Sequence, residues 1–97
     1  MDELKIMWTE VALKQRNLIF EYFNRRNDST AYSKKINSQI KNQIQLIKSQ
    51  SKIGKMIKNT DFRNVFFGNY SIIYKKNSNI IYIAAFWDNR QNPDKLK

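Results

Sequence analysis

Residues 62–87 read FRNVFFGNYSIIYKKNSNIIYIAAFW and contain three apolar segments separated by two turn signals. Phe62–Phe67 and Tyr70–Lys76 alternate with a period of two, and Gly68-Asn69 between them is typical of a hairpin turn. Asn77-Ser78-Asn79 predicts a second turn before Ile80–Trp87, which is apolar on both faces and is therefore predicted to be a central strand. Three side chains share one face of the second strand: Tyr70, Ile72 and Tyr74. The segment predicts three consecutive antiparallel strands.

The residues before this sheet predict a strand and two helices. Leu4–Trp8 is a short apolar stretch, and Thr9 is a good N-cap for a first helix. Asn27-Asp28-Ser29 predicts a break, after which a second helix carries an apolar stripe at helical spacing. The stripe consists of Ile36, Ile40, Ile44 and Ile47.

These patterns together predict an α+β fold in the order β-α-α-β-β-β. Helices near 9–26 and 29–49 should form an antiparallel hairpin packed on an antiparallel sheet of residues 61–87, with a strand of residues 3–8 at its edge. Residues 88–97 are predicted to be a polar tail. The chain is short enough to be a single domain, residues 1–97.

The composition excludes several classes of function. The 97 residues include no cysteine and no histidine, which excludes disulfides, thiol nucleophiles, His-based catalysis and zinc sites built on these residues. We predict no cofactor and no bound metal. The longest apolar run, Ile80–Trp87, has eight residues, whereas a transmembrane helix needs about 20. The acidic start Met1-Asp2-Glu3 is not a secretory signal, so a soluble cytoplasmic protein is predicted.

Basic residues are concentrated in the middle of the chain. The formal net charge is +10, and residues 31–86 contain ten basic residues but only one acidic residue, Asp61. This asymmetry indicates a polyanionic partner, such as nucleic acid, an anionic membrane or a strongly acidic protein. Codon bias in an AT-rich genome is the alternative, and it accounts for many lysines but not for the depletion of acidic residues.

The order of these segments and several short motifs resemble the RelE/ParE superfamily of toxins from type II toxin–antitoxin modules. The motifs are the apolar-Trp-Thr-Glu opening of the first helix, Ile53-Gly54-Lys55, Arg63, the run Gly68–Tyr74 and the run Phe86–Pro93. The resemblance covers nearly the whole chain and implies a growth-inhibiting protein that is neutralised by a cognate antitoxin. We expect this antitoxin to be acidic and to bind over the sheet and the basic loops.

The two branches of this superfamily differ in their target. One cleaves messenger RNA in the ribosome without a metal, and the other, ParE-like, binds DNA gyrase and has no known catalytic site. Nucleases of the first branch typically have an arginine where this chain has Ser71. The ParE-like pattern Gly-x-Tyr-x-Ile-x-Tyr-(Lys/Arg) matches at Gly68, Tyr70, Ile72, Tyr74 and Lys75. The resemblance therefore favours a gyrase inhibitor that is not an enzyme. The alternatives are a ribosome-dependent endoribonuclease of messenger RNA and, outside the family, a basic nucleic-acid-binding module.

Seven residues are candidates for contact with the target or with an anion: Lys52, Lys55, Lys58, Arg63, Tyr70, Tyr74 and Arg90. Arg63 either faces the target or pairs with a helix carboxylate such as Glu21, and Arg90 either contacts an anion or pairs with Asp88. The three lysines form either a phosphate-binding rim or a solvated loop, and the two tyrosines are either core residues or base-stacking platforms. In a nuclease, the catalytic candidates would be Arg63, Arg90, Lys52 and Lys55. Trp87 is expected in the core.

Overall fold

A computed structural model of the protein describes residues 4–90. The chain forms β1 (Lys5–Trp8), α1 (Glu10–Asn27), α2 (Ala31–Ser49), β2 (Lys55–Met56), β3 (Arg63–Phe67), β4 (Tyr70–Asn77) and β5 (Ile80–Asp88). The residues outside the described range include the Gln91–Pro93 part of the closing motif and most of the predicted polar tail. Within residues 4–90, neither helix has the length and apolar character to cross a bilayer.

The five strands form one sheet in the order β1-β5-β4-β3-β2, with the helical hairpin packed on one of its faces. The predicted α+β fold is confirmed: β3, β4 and β5 are consecutive antiparallel strands, and β1 lies at an edge. Two details differ from the prediction. β1 pairs with β5 in parallel, so the sheet is mixed, and the two-residue strand β2 pairs with β3 in a segment that was expected to be a loop.

The ends of α1 are fixed by local signals in the sequence. The Thr9 hydroxyl oxygen accepts a hydrogen bond from the Ala12 amide at 3.2 Å, which satisfies one free donor of the first turn. Asp28 ends the helix in the left-handed conformation with φ of 48°, a geometry that aspartate tolerates better than most residues. The predicted N-cap and the predicted break are therefore both confirmed.

The core lies between the helices and the sheet. Ile36, Ile40 and Ile47 are at most 3% exposed, and Ile44 is partly buried against the same cluster. They pack with the side chains on the helix-facing side of the sheet, among them Ile72 and Ile81. Each such burial stabilises the fold by about 1.5–3 kcal/mol, so the predicted isoleucine stripe contributes to the core between the two layers, where α1 makes the closest approach to the sheet, against β5.

A β-bulge at Ala84 changes which side chains of β5 face the core. Ile73 pairs with Ala85 and Tyr74 pairs with Ile83, which leaves Ala84 without a partner on β4. The Thr9 hydroxyl donates to the Ala84 carbonyl at 3.2 Å and holds the bulge against the start of α1. Because the alternation shifts there, Phe86 is fully buried in the core. Trp87 is half-buried on the opposite face, so the prediction of a core Trp87 is wrong.

Candidate functional site

Arg63 and Tyr74 hold the loop between α2 and β2. Arg63 Nη1 donates to the carbonyl oxygens of Lys52 at 3.2 Å and of Gly54 at 2.8 Å. The Tyr74 hydroxyl donates to the Ser51 carbonyl at 2.8 Å and accepts from the Gly54 amide at 2.9 Å. The Arg63 guanidinium is therefore engaged with backbone carbonyls and not with Glu21, which was one of its two predicted roles. The pairing of β2 with β3 brings this loop beside Arg63.

Gly54 is the residue that allows this close packing. A Cβ atom at position 54 would lie 2.8 Å from a ring carbon and from the hydroxyl oxygen of Tyr74, and 2.9 Å from the Cβ of Arg63. No side chain fits there without displacing Tyr74 or the strand that carries Arg63. The glycine of the Ile53-Gly54-Lys55 motif is therefore required for steric reasons. Its close packing fixes the course of the chain next to Lys52 and Lys55.

Arg90 forms an ion pair with Asp88 at the end of β5. Arg90 Nη2 lies 2.9 Å from Asp88 Oδ2, and the Asp88 side chain is 1% exposed whereas that of Arg90 is 47% exposed. The guanidinium carbon lies 5.8 Å from the ring centroids of both Phe23 and Tyr70, within the range of a cation–π contact. Of the two predicted roles for Arg90, the structure contains the local pair with Asp88, and the contact of Arg90 with Phe23 connects the end of the sheet to α1.

Tyr70 and Tyr74 both lie on the helix-facing side of the sheet and are at most 3% exposed, so neither ring is available to stack on a base. The hydroxyl oxygens of Tyr70 and Tyr32 are 2.9 Å apart and share a hydrogen bond between β4 and α2. Burial, and next the hydrogen bond with Tyr32, raises the pKa of Tyr70 well above its ordinary value. Burial also raises the pKa of Tyr74, although the Gly54 amide and Arg63 oppose the shift.

These raised pKa values predict a loss of stability at alkaline pH. Above the ordinary tyrosine pKa of 10.0, the unfolded chain releases a proton that the folded chain retains, so the free energy of unfolding falls as pH rises. The slope should approach about 1.4 kcal/mol per pH unit for each such tyrosine. Urea denaturation between pH 8 and 11 measures it. Tyr70→Phe should make the decline shallower than in the native protein. An equal decline in both proteins would contradict this assignment.

Ser71 is the residue at which the sequence departs from the nuclease branch, for which the resemblance implies an arginine. It is fully buried, and its hydroxyl donates to Asn89 Oδ1 at 3.1 Å. Ser71 faces away from the helices, between Phe66 on β3 and Trp87 on β5, because these are its partners in the sheet register. This position therefore supplies a hydrogen bond to the end of β5 and carries no positive charge.

The three candidate lysines are not brought together as one group. All three are exposed, and Lys52 lies in the loop after α2, where its backbone carbonyl accepts from Arg63. Lys55 and Lys58 line a separate open depression together with Asn64 and Phe66. The structure thus places two of the predicted lysines beside an aromatic residue that was not predicted as a site residue.

Sequence reasoning missed the aromatic residues on the sheet face that points away from the helices, which we call the open face. The register places Phe66, Tyr82 and Trp87 there, and Phe62, just before β3, has its ring centroid 5.4 Å from Nζ of Lys75 on the same face. Phe66 is 57% exposed, and the other three are half-buried. The period of two in residues 62–67 was the available signal, because Phe62, Asn64 and Phe66 alternate with Arg63, Val65 and Phe67.

The protein is a small α+β chain with a helical hairpin on one face of its sheet and a basic middle section. A family model described as "ParE toxin of type II toxin-antitoxin system, parDE" matches residues 6–93. The chain therefore belongs to the ParE toxin family of type II toxin–antitoxin systems.

A solved structure titled "Chromosomal ParDE TA system from P. aeruginosa" has the same fold, with a TM-score of 0.72 over 87% of this chain and 94% of that chain. The sequence identity is 14%, so this likeness concerns the fold alone. No curated protein matches the sequence.

Family membership confirms the predicted class of protein and its ParE-like branch. A toxin of a type II module has a cognate antitoxin as its partner, as the resemblance implied. The molecular target is a separate question, which depends on what the site residues can do.

Proposed function

We propose that this toxin inhibits DNA gyrase by binding it and that it is not an enzyme. The observation that carries the proposal is the engagement of both candidate catalytic arginines in the fold. Arg63 donates to two carbonyl oxygens of the α2–β2 loop, and Arg90 pairs with the buried Asp88.

Ribose-assisted cleavage of RNA needs cations directed at the developing charge on the phosphorane. A guanidinium that already neutralises a buried carboxylate cannot leave it without exposing an unpaired charge to an apolar environment. Arg63 Nη1 is likewise engaged, with the part-buried Gly54 carbonyl and with the Lys52 carbonyl at the surface. Ser71, where the resemblance implies an arginine in the nucleases, also argues against a nuclease. These contacts support inhibition through surface binding rather than through a reacting centre.

The basic residues of this toxin favour an acidic antitoxin. The exposed cations Lys52, Lys55 and Lys58 lie in one segment of the chain, and Asp61 is the only acidic residue between positions 31 and 86. Complementary charge mainly accelerates association and weakens with salt, since the Debye length falls from about 10 Å at 0.1 M to about 3 Å at 1 M. Apolar contacts should supply the lasting affinity of the complex.

Two assays on the purified toxin test the proposal. We expect inhibition of supercoiling by purified gyrase and no cleavage of messenger RNA on purified ribosomes, with toxin already bound to its antitoxin as the inactive control. Lys55→Ala and Lys58→Ala should each raise the half-inhibitory concentration by less than about tenfold, because interface energy is distributed over several contacts. Loss of one transition-state contact would instead lower a cleavage rate by about 10²–10³. Codon-position-specific cleavage of ribosome-bound message by the native toxin would contradict the proposal.

A further inference from the structure

We propose that the open face of the sheet is a binding site for single-stranded nucleic acid, on which unstacked bases contact aromatic rings and lysines contact the phosphates. This function is separate from gyrase binding. It rests on the aromatic residues of the open face, on the cations between and beside them, and on one buried amide oxygen that has no hydrogen-bond partner.

The sheet register places the rings at separated points of this face. Phe66 and Trp87 lie on β3 and β5, on either side of the small residue Ser71 on β4. Because neighbouring strands are about 4.8 Å apart, the backbones that carry these two rings are separated by about 10 Å. Tyr82 lies further along β5, opposite Lys75. Such an arrangement presents separate apolar rings at the surface of this face, on which bases can stack.

Positive charge is distributed among these rings. Lys75 Nζ lies 5.4 Å from the ring centroid of Phe62, and Lys55 pairs with Asn64 on the neighbouring strand. Lys5 on β1 faces the same side by its register, and Lys58 lies in the loop beside Phe66. Among residues 4–90, the register assigns no acidic side chain to this face. Lysines interleaved with aromatic rings match a flexible polyanion whose bases are accessible.

Asn64 provides an independent observation. Its Oδ1 is buried and has no hydrogen-bond partner among the described residues, although a buried polar atom normally has one. Asn64 lies between Phe62 and Phe66 on the open face, and it lines the depression that contains Lys55 and Lys58. Because this oxygen has no partner among the described residues, the Asn64 side chain can turn toward the depression and accept a hydrogen bond from a ring N–H of a bound base.

Single strands fit this face better than a duplex does. The faces of the bases in a duplex are stacked on one another, so a ring on a sheet cannot reach them, whereas each base of a single strand exposes its π-face. An acidic protein segment would also be attracted to the lysines. Such a segment does not require aromatic rings on the face that binds it, because aliphatic side chains bury apolar area as well as aromatic ones. The aromatic rings therefore favour a nucleic acid as the partner.

Fluorescence anisotropy with a labelled oligothymidylate of about 15 nucleotides, within the range of site sizes known for such surfaces, tests the proposal on the full chain. We expect binding by the native protein and a loss of affinity of about 5- to 150-fold in Phe66→Ala, as for removal of one stacking ring. Phe66→Leu should lose a similar amount, because it keeps the apolar bulk but not the ring. Lys55→Gln should reduce the slope of log K against log salt by about 0.7.

Leu18→Ala is the matched control, because Leu18 is 64% exposed and lies on α1, on the other layer of the fold. It should bind as the native chain does, and a duplex of the same length should bind more weakly than the single strand. Native-like affinity in Phe66→Leu, equal affinity for the duplex, or no binding of the oligonucleotide would each overturn the proposal. If Phe66→Ala weakened binding of the antitoxin while the native chain bound no oligonucleotide, the open face would be assigned to the antitoxin instead. Gyrase inhibition without oligonucleotide binding would overturn this inference and leave the proposed function intact.

Discussion

Gly54→Ala should lower the free energy of unfolding by about 3 kcal/mol, the upper part of the usual range for overpacking. The new Cβ would lie 2.8 Å from Tyr74 and 2.9 Å from Arg63. Tyr74 is fully buried in a closely packed interior, so we expect the loop to shift instead of the ring. That shift lengthens the hydrogen bonds from the Gly54 amide to Tyr74 and from Arg63 to the Gly54 carbonyl.

Urea denaturation at neutral pH measures this loss, and Gly68→Asn is the control. Gly68 has a φ of +57° with nothing within 4 Å of its Cβ position. Asparagine tolerates the left-handed conformation, so Gly68→Asn should cost less than about 1 kcal/mol. If Gly54→Ala were as stable as Gly68→Asn, the close packing around Tyr74 would not determine the course of the loop.

Arg90→Ala should destabilise the fold by about 2–3 kcal/mol, because it leaves the Asp88 carboxylate without its cation. Removing one partner of a fully buried pair costs about 3–5 kcal/mol, and the half-exposed position of Arg90 reduces that figure. Asp88 is the buried member, with 1% of its side chain exposed, so the loss of stability comes from leaving its carboxylate buried and unpaired. The contacts of Arg90 with Phe23 and Tyr70 would be lost as well.

A double-mutant cycle separates the ion pair from these ring contacts. Asp88→Asn removes the buried charge, and Arg90→Ala should then cost clearly less in the Asp88→Asn background than in the native chain. Equal costs in the two backgrounds would show that the ion pair contributes nothing beyond the ring contacts. Antitoxin binding by each variant checks that it is folded before any change in toxicity is interpreted.

The helices and the strand order of residues 62–87 were predictable because their signals are local. Thr9 caps α1 through a neighbouring amide, and the isoleucine stripe of α2 follows directly from the helical period. The face shared by Tyr70, Ile72 and Tyr74 follows from the period of two, and all three are buried. Each of these features involves residues only a few positions apart.

The features that were not predictable depend on contacts between distant segments. Ile80–Trp87 is apolar on both faces, so its composition gives no sign of the bulge at Ala84 that directs Phe86 inward and Trp87 outward. The partners of Arg63 are backbone carbonyls, and every residue type has one, so no sequence pattern marks them. The direction of β1 relative to β5 could not be predicted either, because a four-residue strand can pair in parallel or antiparallel fashion with the same apolar pattern.

The parallel pairing of β1 with β5 has a consequence for folding during synthesis on the ribosome. The Thr9 hydroxyl and the Ala84 carbonyl that it contacts are 75 positions apart, and β5 separates β1 from the rest of the sheet. At a synthesis rate of about 5–20 residues per second, a nascent chain waits about 4–15 s between making β1 and making its partner. During that interval β5, the strand that lies between β1 and β4, has not yet been made. Contacts of such long sequence separation also form slowly. The newly synthesised toxin is therefore expected to complete its sheet only after β5 has been made.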